Sequence, residues 1–182
     1  LNEDECLIIK PLNLLTYKPT IYAPNVSEDD LANGNDWVEK VRNIAAAENA
    51  QIVVISAQVE SELIELPEEE IADYLKSLGV EEGGLKSLIK ATYQLLGLRT
   101  YFTTGEKETK AWTIKAGMLA PQAAGVIHTD FERGFIRAET IAYQDLVTSG
   151  SMTAAKEKGL LRSEGKDYLV KEGDIMLFRF NV

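Results

Sequence analysis

The sequence is poor in the residues that build disulfides, metal sites and membrane spans. Its 182 residues include one cysteine, Cys6, and one histidine, His128. A single cysteine excludes an internal disulfide and a metal site made of several cysteines. No apolar run approaches the ~20 residues that span a bilayer, and no basic segment leads into an apolar one as in a signal peptide. We therefore expect a cytoplasmic protein without a membrane partner.

A second absence concerns phosphate binding. The pattern G-x-x-x-x-G-K-S/T, whose backbone cradles phosphates and whose hydroxyl binds Mg²⁺, occurs nowhere in the chain. The acidic runs at residues 28–30 and 68–70 are better explained by a solvated loop and by the first turn of a helix than by metal binding. We expect no metal ligands, no catalytic residues and no nucleotide hydrolysis by this chain alone.

The charge is unevenly distributed. The net charge of −10 argues against broad nucleic-acid binding and gives no reason to expect DNA as a partner. Residues 1–95 carry 18 acidic and 7 basic side chains, whereas residues 96–182 carry 11 acidic and 12 basic ones. The change near Gly97 suggests two units, the second better suited to a polyanionic neighbour. Two ordinary solvated surfaces explain the charges equally well.

The first half alternates strand and helix patterns. Residues 19–24 and 51–55 are short apolar, β-branched runs typical of buried strands, and Asp36 is placed to cap a helix between them. Strand, helix and strand at this spacing predict a βαβ unit, whose ligand-binding edge lies at the carboxyl ends of the strands. Further helices are predicted at residues 67–78 and 84–96.

The second half has the pattern of a small α+β module. Strands are predicted at residues 100–104, 111–116, 135–143, 168–170 and 175–182, helices at 120–127 and 152–158, and a hairpin turn at 105–108. A hairpin, a helix and further strands resemble a ubiquitin-like β-grasp. The aromatic residues of this half have strand-like spacing and are expected mostly in the core. Its basic residues offer an alternative role as an RNA-binding face: Lys107, Lys110, Lys115, Arg133, Arg137, Lys156, Lys158 and Arg162.

The lone histidine has the appearance of a catalytic residue because Thr129 and Asp130 follow it. Catalysis requires an orienting partner and a nucleophile within reach, and sequence neighbours rarely face one another in that way. No G-x-S-x-G elbow, second histidine or reactive cysteine supports the catalytic interpretation. We favour a structural role, in which His128 ends one element and caps the next.

Two short motifs follow the two predicted parallel strands. Asn25-x-x-Glu28 follows the first strand and Ser56-Ala57 the second, about 30 residues later. Each alone is a weak signal, since an asparagine at a strand end is usually only a turn. Together they match the base-recognition end of a P-loop nucleotide site, where Asn-Lys-x-Asp and Ser-Ala-Lys are usual. Glu28 replaces the aspartate and Val26 the lysine, which predicts a relaxed or switched base preference.

Longer stretches carry a resemblance over essentially the whole chain. The matching residues are 25–30, 56–60, 93–103, 110–114, 120–131, 134–139 and 178–182. They resemble the C-terminal half of YchF-type (Obg-like) P-loop NTPases of the translation-factor class. The resemblance implies an α/β plus α+β fold: residues 1–15 end an inserted helical domain, residues 16–96 form the last part of a G domain, and residues 97–182 form a β-grasp TGS domain.

The same resemblance implies a nucleotide role. Family members favour ATP through an Asn-x-x-Glu motif, which Asn25 and Glu28 match. Backbone groups near Val26 would contact adenine, and Ser56 and Ala57 would shape the base pocket. ATP, or GTP, would bind with Mg²⁺ in the full-length protein, and the TGS domain would contact the ribosome or RNA. The alternative is a free-standing β-grasp adaptor that binds RNA or protein and has no nucleotide role.

Overall fold

The protein has a mixed α/β fold made of two compact units. A computed structural model describes residues 2–105 and 108–181. The chain divides into residues 1–96 and residues 97–182, and each unit is described by itself. In the described ranges no helix is both long and apolar enough to cross a membrane.

The first unit combines a two-stranded parallel sheet with five α-helices and two short 3₁₀-helices, Lys10–Leu12 and Leu15–Tyr17, among its described residues. The strands are β1 (Ile21–Tyr22) and β2 (Gln51–Ile52); the helices are α1 (Glu3–Ile9), α2 (Asp36–Ala47), α3 (Ala57–Glu65), α4 (Glu68–Ser77) and α5 (Gly84–Leu95). Strand, helix and strand therefore occur in the predicted order. The two strands are shorter than predicted, although backbone pairing continues beyond them.

Two details of the first unit differ from the sequence predictions. Asn35, rather than Asp36, caps α2, because the Asn35 side chain accepts hydrogen bonds from the N–H groups of Trp37 and Val38. Asp36 is the first helical residue, where its charge suits the helix dipole. Helix α3 was not predicted, and the buried Ser56 caps it. Three glutamates do begin α4, as their sequence position indicated.

The second unit is a five-stranded sheet with helices. Its strands are β3 (Leu98–Thr104), β4 (Thr109–Lys115), β5 (Phe135–Ala142), β6 (Arg162–Glu164) and β7 (Asp174–Phe180), in the order β4-β3-β7-β5-β6. Its helices are α6 (Ala120–Ile127), α7 (Thr129–Arg133), α8 (Tyr143–Ser149) and α9 (Met152–Glu157). β3 and β4 are antiparallel, whereas β3 and β7 are parallel. Helices α6 and α9 were predicted; β6, α7 and α8 were not.

The core of the second unit confirms most of the aromatic prediction. Tyr101, Phe135 and Phe178 are buried together with alanines of α6, and the Tyr101 hydroxyl donates a 2.9 Å hydrogen bond to the Ala123 carbonyl. The predicted strand at 168–170 was wrong, since Leu169 makes only an isolated bridge to Leu119. The predicted turn at 105–108 includes Glu106 and Lys107, which lie outside the described residues.

Candidate functional site

The ends of the two parallel strands are joined by a side chain. Backbone pairing continues past β1 and β2 through Ile55 N–H to Pro24 O (3.1 Å) and Val26 N–H to Ile55 O (2.9 Å). Next to these backbone bonds, the Asn25 side-chain oxygen accepts a 2.8 Å hydrogen bond from Ala57 N–H. The structure thus brings residues 25–26 and 56–57 to one edge of the sheet.

Ser56 belongs to the scaffold of this edge. It is 1% exposed, and its hydroxyl accepts a hydrogen bond from Val59 N–H at 3.5 Å, the bond that caps α3. A buried, capping hydroxyl is not presented to solvent, so Ser56 acts by placing the start of α3. Ala57, the next residue, is exposed.

Glu28 lies in the turn that follows the first strand. It is half-buried, and its carboxylate has no hydrogen-bond or ion-pair partner among residues 2–105 and 108–181. Its charge is nevertheless close to Tyr74 of α4. The hydroxyl of Tyr74 donates to Glu62, and this bond, followed by burial and the charges of Glu62 and Glu28, raises the pKa of Tyr74 to about 12.

Both carboxylate oxygens of Glu62 accept hydrogen bonds, the first from the Tyr74 hydroxyl. Its second carboxylate oxygen accepts a 3.1 Å hydrogen bond from the Gln58 side chain. The Tyr74 and Gln58 bonds together lower the pKa of Glu62, with the Tyr74 bond the larger cause. Gln58 and Tyr74 thus donate to Glu62 and not to Glu28. The Glu28 carboxylate, whose charge is close to Tyr74, remains free to accept hydrogen bonds from a ligand.

Val26 offers less of its backbone than the sequence prediction assumed. Its N–H donates to Ile55 O and is therefore unavailable to a ligand. The Val26 carbonyl accepts no hydrogen bond from the described part of the chain. Any backbone contact made at this residue must use the carbonyl.

Helix α5 begins directly against the second strand end. Gly84 N–H donates a 2.6 Å hydrogen bond to the Glu60 carboxylate. A Cβ at position 84 would lie 2.9 Å from Ile55 Cγ2 and 3.1 Å from Ile55 Cα, closer than real Cβ contacts allow. The glycine is thus required by close packing, and Glu60 supplies the cap that Gly83 cannot.

The chemistry of this edge is that of hydrogen-bond recognition. It presents the Glu28 carboxylate and the Val26 carbonyl as acceptors and the Asn25 amide N–H groups as donors. Such a set complements the edge of a flat heterocycle that carries amino groups and ring nitrogens. Among the described residues, no three His, Cys, Asp or Glu side chains are placed to hold a metal ion.

Comparisons with known proteins agree with one another. Residues 98–181 match the family YchF-GTPase_C, described as "Protein of unknown function (DUF933)". The Ribosome-binding ATPase YchF of Bacillus subtilis (strain 168) is 56% identical over 99% of this chain, and that of Haemophilus influenzae is 53% identical over all of it; in both cases the match covers 50% of the relative. The Schizosaccharomyces pombe YchF GTPase structure is similar with a TM-score of 0.80 and 37% identity, over 98% of this chain and 48% of that one.

Residues 98–181 thus match a YchF family model, and the chain as a whole is similar to one half of YchF proteins. It spans about half the length of the curated relatives it matches. The mixed α/β fold agrees with that of the S. pombe YchF structure.

His128, the single histidine of the chain, is a capping residue. His128 ends α6 and caps α7, its Nδ1 accepting a 3.2 Å hydrogen bond from Asp130 N–H. Nδ1 also lies 3.4 Å from the Asp130 carboxylate, a contact that is an ion pair only when the imidazole is protonated. The structural interpretation of His128 is confirmed.

Several of the basic residues proposed as an RNA-binding face have partners. Arg137 and Arg179 lie opposite each other on β5 and β7 and share the Glu139 carboxylate, whose pKa is lowered by Arg179 first and Arg137 second. Lys110 lies over the Trp112 ring, and Arg162 pairs with Glu164. The exposed remainder is Lys115, Arg133, Lys156 and Lys158; Lys107 lies outside the described residues.

Sequence reasoning missed the residues that hold the strand-end site together. Glu60, Glu62 and Tyr74 act through contacts between helices that are separate in sequence. The Gly83-Gly84 pair just before a helix was an available signal, since adjacent glycines indicate a close backbone approach. Asp30, inside the acidic run at 28–30, was assigned only to solvation.

Proposed function

We propose that this chain supplies the C-terminal half of a ribosome-associated ATPase of the YchF family. Residues 16–96 then form the last part of a P-loop G domain that contains the βαβ unit, and residues 97–182 form a β-grasp TGS domain. Residues 1–15 end an inserted helical domain. The relatives that match are called ribosome-binding ATPases, and the yeast structure a GTPase. The full-length protein then works in the cytoplasm.

The nucleotide role rests on one observation: the Asn25 side chain joins the two strand ends while the Glu28 carboxylate stays unpaired. Asn25 Oδ1 accepts the hydrogen bond from Ala57 N–H, which fixes the orientation of the side-chain amide. The amide N–H groups therefore point away from Ala57 and can donate to a ligand. These donors and the Glu28 acceptor are the groups that a purine base requires. Val26 contributes its carbonyl, the exposed Ala57 helps to shape the base pocket, and the buried Ser56 does so through its cap of α3.

The chemistry of the two purines favours adenine at such a site. Guanine presents N1–H and a 2-amino group, which an aspartate accepts in the usual Asn-Lys-x-Asp pattern. Adenine presents an acceptor at N1 and a donor at its 6-amino group. The longer glutamate at position 28 accepts from the 6-amino group, so ATP is the preferred nucleotide and GTP a weaker one.

Phosphate binding and hydrolysis belong to the other half of the full-length protein. The chain has no G-x-x-x-x-G-K-S/T sequence, so the groups that hold phosphates and Mg²⁺ are supplied elsewhere. This chain contributes base choice. Alone, it is expected to show no nucleotide turnover.

The test compares hydrolysis of ATP and GTP by this chain and by the full-length protein. We expect turnover only by the full-length protein, with ATP the better substrate. Turnover by residues 1–182 alone, or a strict GTP preference of the full-length protein, contradicts the proposal. A Glu28→Asp variant restores the usual carboxylate length and should move the preference towards GTP.

A second candidate function comes from the compactness of residues 97–182, which have their own buried core. They would act as an adaptor that binds RNA or the ribosome with no nucleotide role. Binding that is unaffected by nucleotide and survives deletion of residues 1–96 favours the adaptor. The salt dependence of RNA binding counts the basic residues that contact phosphate. Loss of binding on that deletion favours the ATPase proposal.

A further inference from the structure

Asp30 is the centre of a hydrogen-bond network in the turn that carries Glu28. One of its carboxylate oxygens, Oδ2, accepts hydrogen bonds from the Ser27 hydroxyl at 3.1 Å and from the Asn35 side-chain amide at 2.8 Å. Its carbonyl accepts a third bond, from Gly34 N–H at 2.7 Å. One residue therefore connects both ends of the segment from 27 to 35.

Asn35 makes this network rigid. The same side chain that donates to Asp30 accepts from the N–H groups of Trp37 and Val38 at 3.0 and 3.1 Å. An amide used on both sides has one orientation, because a flip would place a donor against two N–H groups. Through Asn35, the turn is attached to the first turn of α2, a helix whose Val38 is buried.

Glu28 lies directly between the residues that this network holds. Its backbone is in a turn, with Asp30 N–H donating to Ser27 O at 3.2 Å and Leu31 N–H donating to Glu28 O at 3.1 Å. Its own carboxylate has no partner in the described part of the chain, so the only restraint on its position is the backbone that Asp30 fixes, which sets where the side chain begins. Displacement of the turn by a fraction of an ångström changes the atom of a base that the carboxylate reaches.

We propose that Asp30 is a positioning residue for base selection: by holding Ser27 and Asn35, it sets the direction of Glu28 and with it the preference between adenine and guanine. The inference rests on the proposed function. Asp30 does not contact the base; the network reaches it through Glu28. The Glu28 side chain makes no bond that could hold the turn, which leaves this task to the side chain of Asp30.

The test uses three variants of the full-length protein. Asp30→Ala removes both side-chain bonds, Asp30→Asn keeps a neutral oxygen that can accept them, and Asp29→Ala changes an exposed neighbour with no side-chain partner among the described residues. Dissociation constants for ATP and GTP are measured for each, together with thermal unfolding. The ratio of the two constants is the informative quantity, because a general loosening of the fold weakens both nucleotides alike.

For Asp30→Ala we expect the ATP-over-GTP ratio to fall by about tenfold, the effect of losing one to two hydrogen bonds of ordinary strength. Asp30→Asn should keep most of the ATP-over-GTP ratio of the unmodified protein, and Asp29→Ala should leave that ratio unchanged. Equal weakening of both nucleotides by Asp30→Ala overturns the inference, since Asp30 would then be only structural.

The outcomes also separate this inference from the proposed function. If Glu28→Gln changes the ratio while Asp30→Ala does not, the base site stands and the role of Asp30 is wrong. If the unmodified full-length protein binds neither ATP nor GTP, the proposed function and the inference both fail.

Discussion

The Asn25 side-chain oxygen accepts a 2.8 Å hydrogen bond from the backbone N–H of Ala57, a residue 32 positions later in the chain. This bond joins the carboxyl ends of two parallel strands at the edge where ligands bind in open α/β sheets. It also fixes the orientation of the asparagine amide. The amide oxygen holds the two strand ends together, and the amide nitrogen remains available as a hydrogen-bond donor.

Substitutions at position 25 separate these two roles. Asn25→Ala removes the bond to Ala57 and should lower the free energy of unfolding by about 1 kcal/mol as well as weakening nucleotide binding. Asn25→Asp keeps an acceptor for Ala57 N–H but has no donor. We expect it to keep the stability and still lose nucleotide affinity. Chemical denaturation and nucleotide titration of the full-length variants measure both quantities; full affinity in Asn25→Asp would contradict the donor role.

The contact between Gly84 and Ile55 predicts a large steric cost. Gly84→Ala places a methyl group 2.9 Å from Ile55 Cγ2 and 3.1 Å from Ile55 Cα, and overpacking of this kind costs about 1–3 kcal/mol. Gly83→Ala is the matched control, because its methyl group meets the ends of the Glu60 and Leu63 side chains at 3.0 Å or more and no backbone atom as closely, although a shift of Glu60 also weakens its bond to Gly84 N–H. Thermal unfolding should show a clearly larger loss for Gly84→Ala. Equal losses would show that Ile55 does not confine position 84.

The Tyr74–Glu62 pair predicts a dependence of stability on pH in the alkaline range. The folded-state pKa of Tyr74 is raised from 10.0 to about 12, chiefly by its bond to Glu62, so the folded protein holds this proton longer than the unfolded chain does. The contribution to stability is complete below pH 10 and is lost as the pH rises towards 12. Absorbance titration of tyrosinate should show one late-titrating tyrosine fewer in Tyr74→Phe.

Glu62→Gln tests the cause of that shift. A neutral amide still accepts from the tyrosine hydroxyl but removes the negative charge, so the pKa of Tyr74 should fall back towards its ordinary value. Tyr168, whose pKa is raised to about 12 mainly by burial, serves as the internal reference and should titrate as before. If the number of tyrosines that deprotonate near pH 12 is the same in Glu62→Gln, Glu62 does not cause the raised pKa of Tyr74.

His128 predicts an effect on stability and none on chemistry. His128→Ala removes the cap of α7 and should cost about 0.5–1 kcal/mol, while His128→Asn, with another good capping side chain, should recover most of it. ATP turnover by the full-length protein should be unchanged in both variants. If His128→Ala abolished turnover and left folding and ribosome binding intact, the capping account would be wrong.

The sequence alone predicted the features that depend on local patterns. Apolar, β-branched runs located the βαβ unit, proline, glutamate and glycine signals located α4, and small apolar residues located α6. Residues 25–26 and 56–57 of the two motifs lie at one edge of the sheet. The strand predicted at residues 168–170 was wrong because their apolar composition reflects burial: Tyr168 and Val170 pack in the core. The segment pairs with residues 118–120 through only two backbone bonds, Ala120 N–H to Tyr168 O and Val170 N–H to Met118 O.

The supporting contacts of the site could not be predicted for a different reason. The bonds from Gly84 to Glu60 and from Tyr74 to Glu62 join elements whose approach depends on the packing of whole helices. Helix α3 was missed because Ser56 was assigned to a ligand loop, although a serine before a helix-forming run is also a capping signal. The charge pattern places Asp30 in an acidic run but does not reveal the hydrogen-bond partners of its carboxylate.

Hydrogen exchange of the full-length protein, with and without saturating ATP and Mg²⁺, tests whether the two strand ends recognise the nucleotide base. The measurement compares peptides that cover residues 24–31 and 54–60 with peptides from the second unit, such as 135–142. Nucleotide at the proposed base site should slow exchange at both strand-end segments, and less so in Glu28→Gln. Protection that is absent from both segments while ATP is demonstrably bound would contradict the assignment of base recognition to Asn25, Glu28 and Ala57.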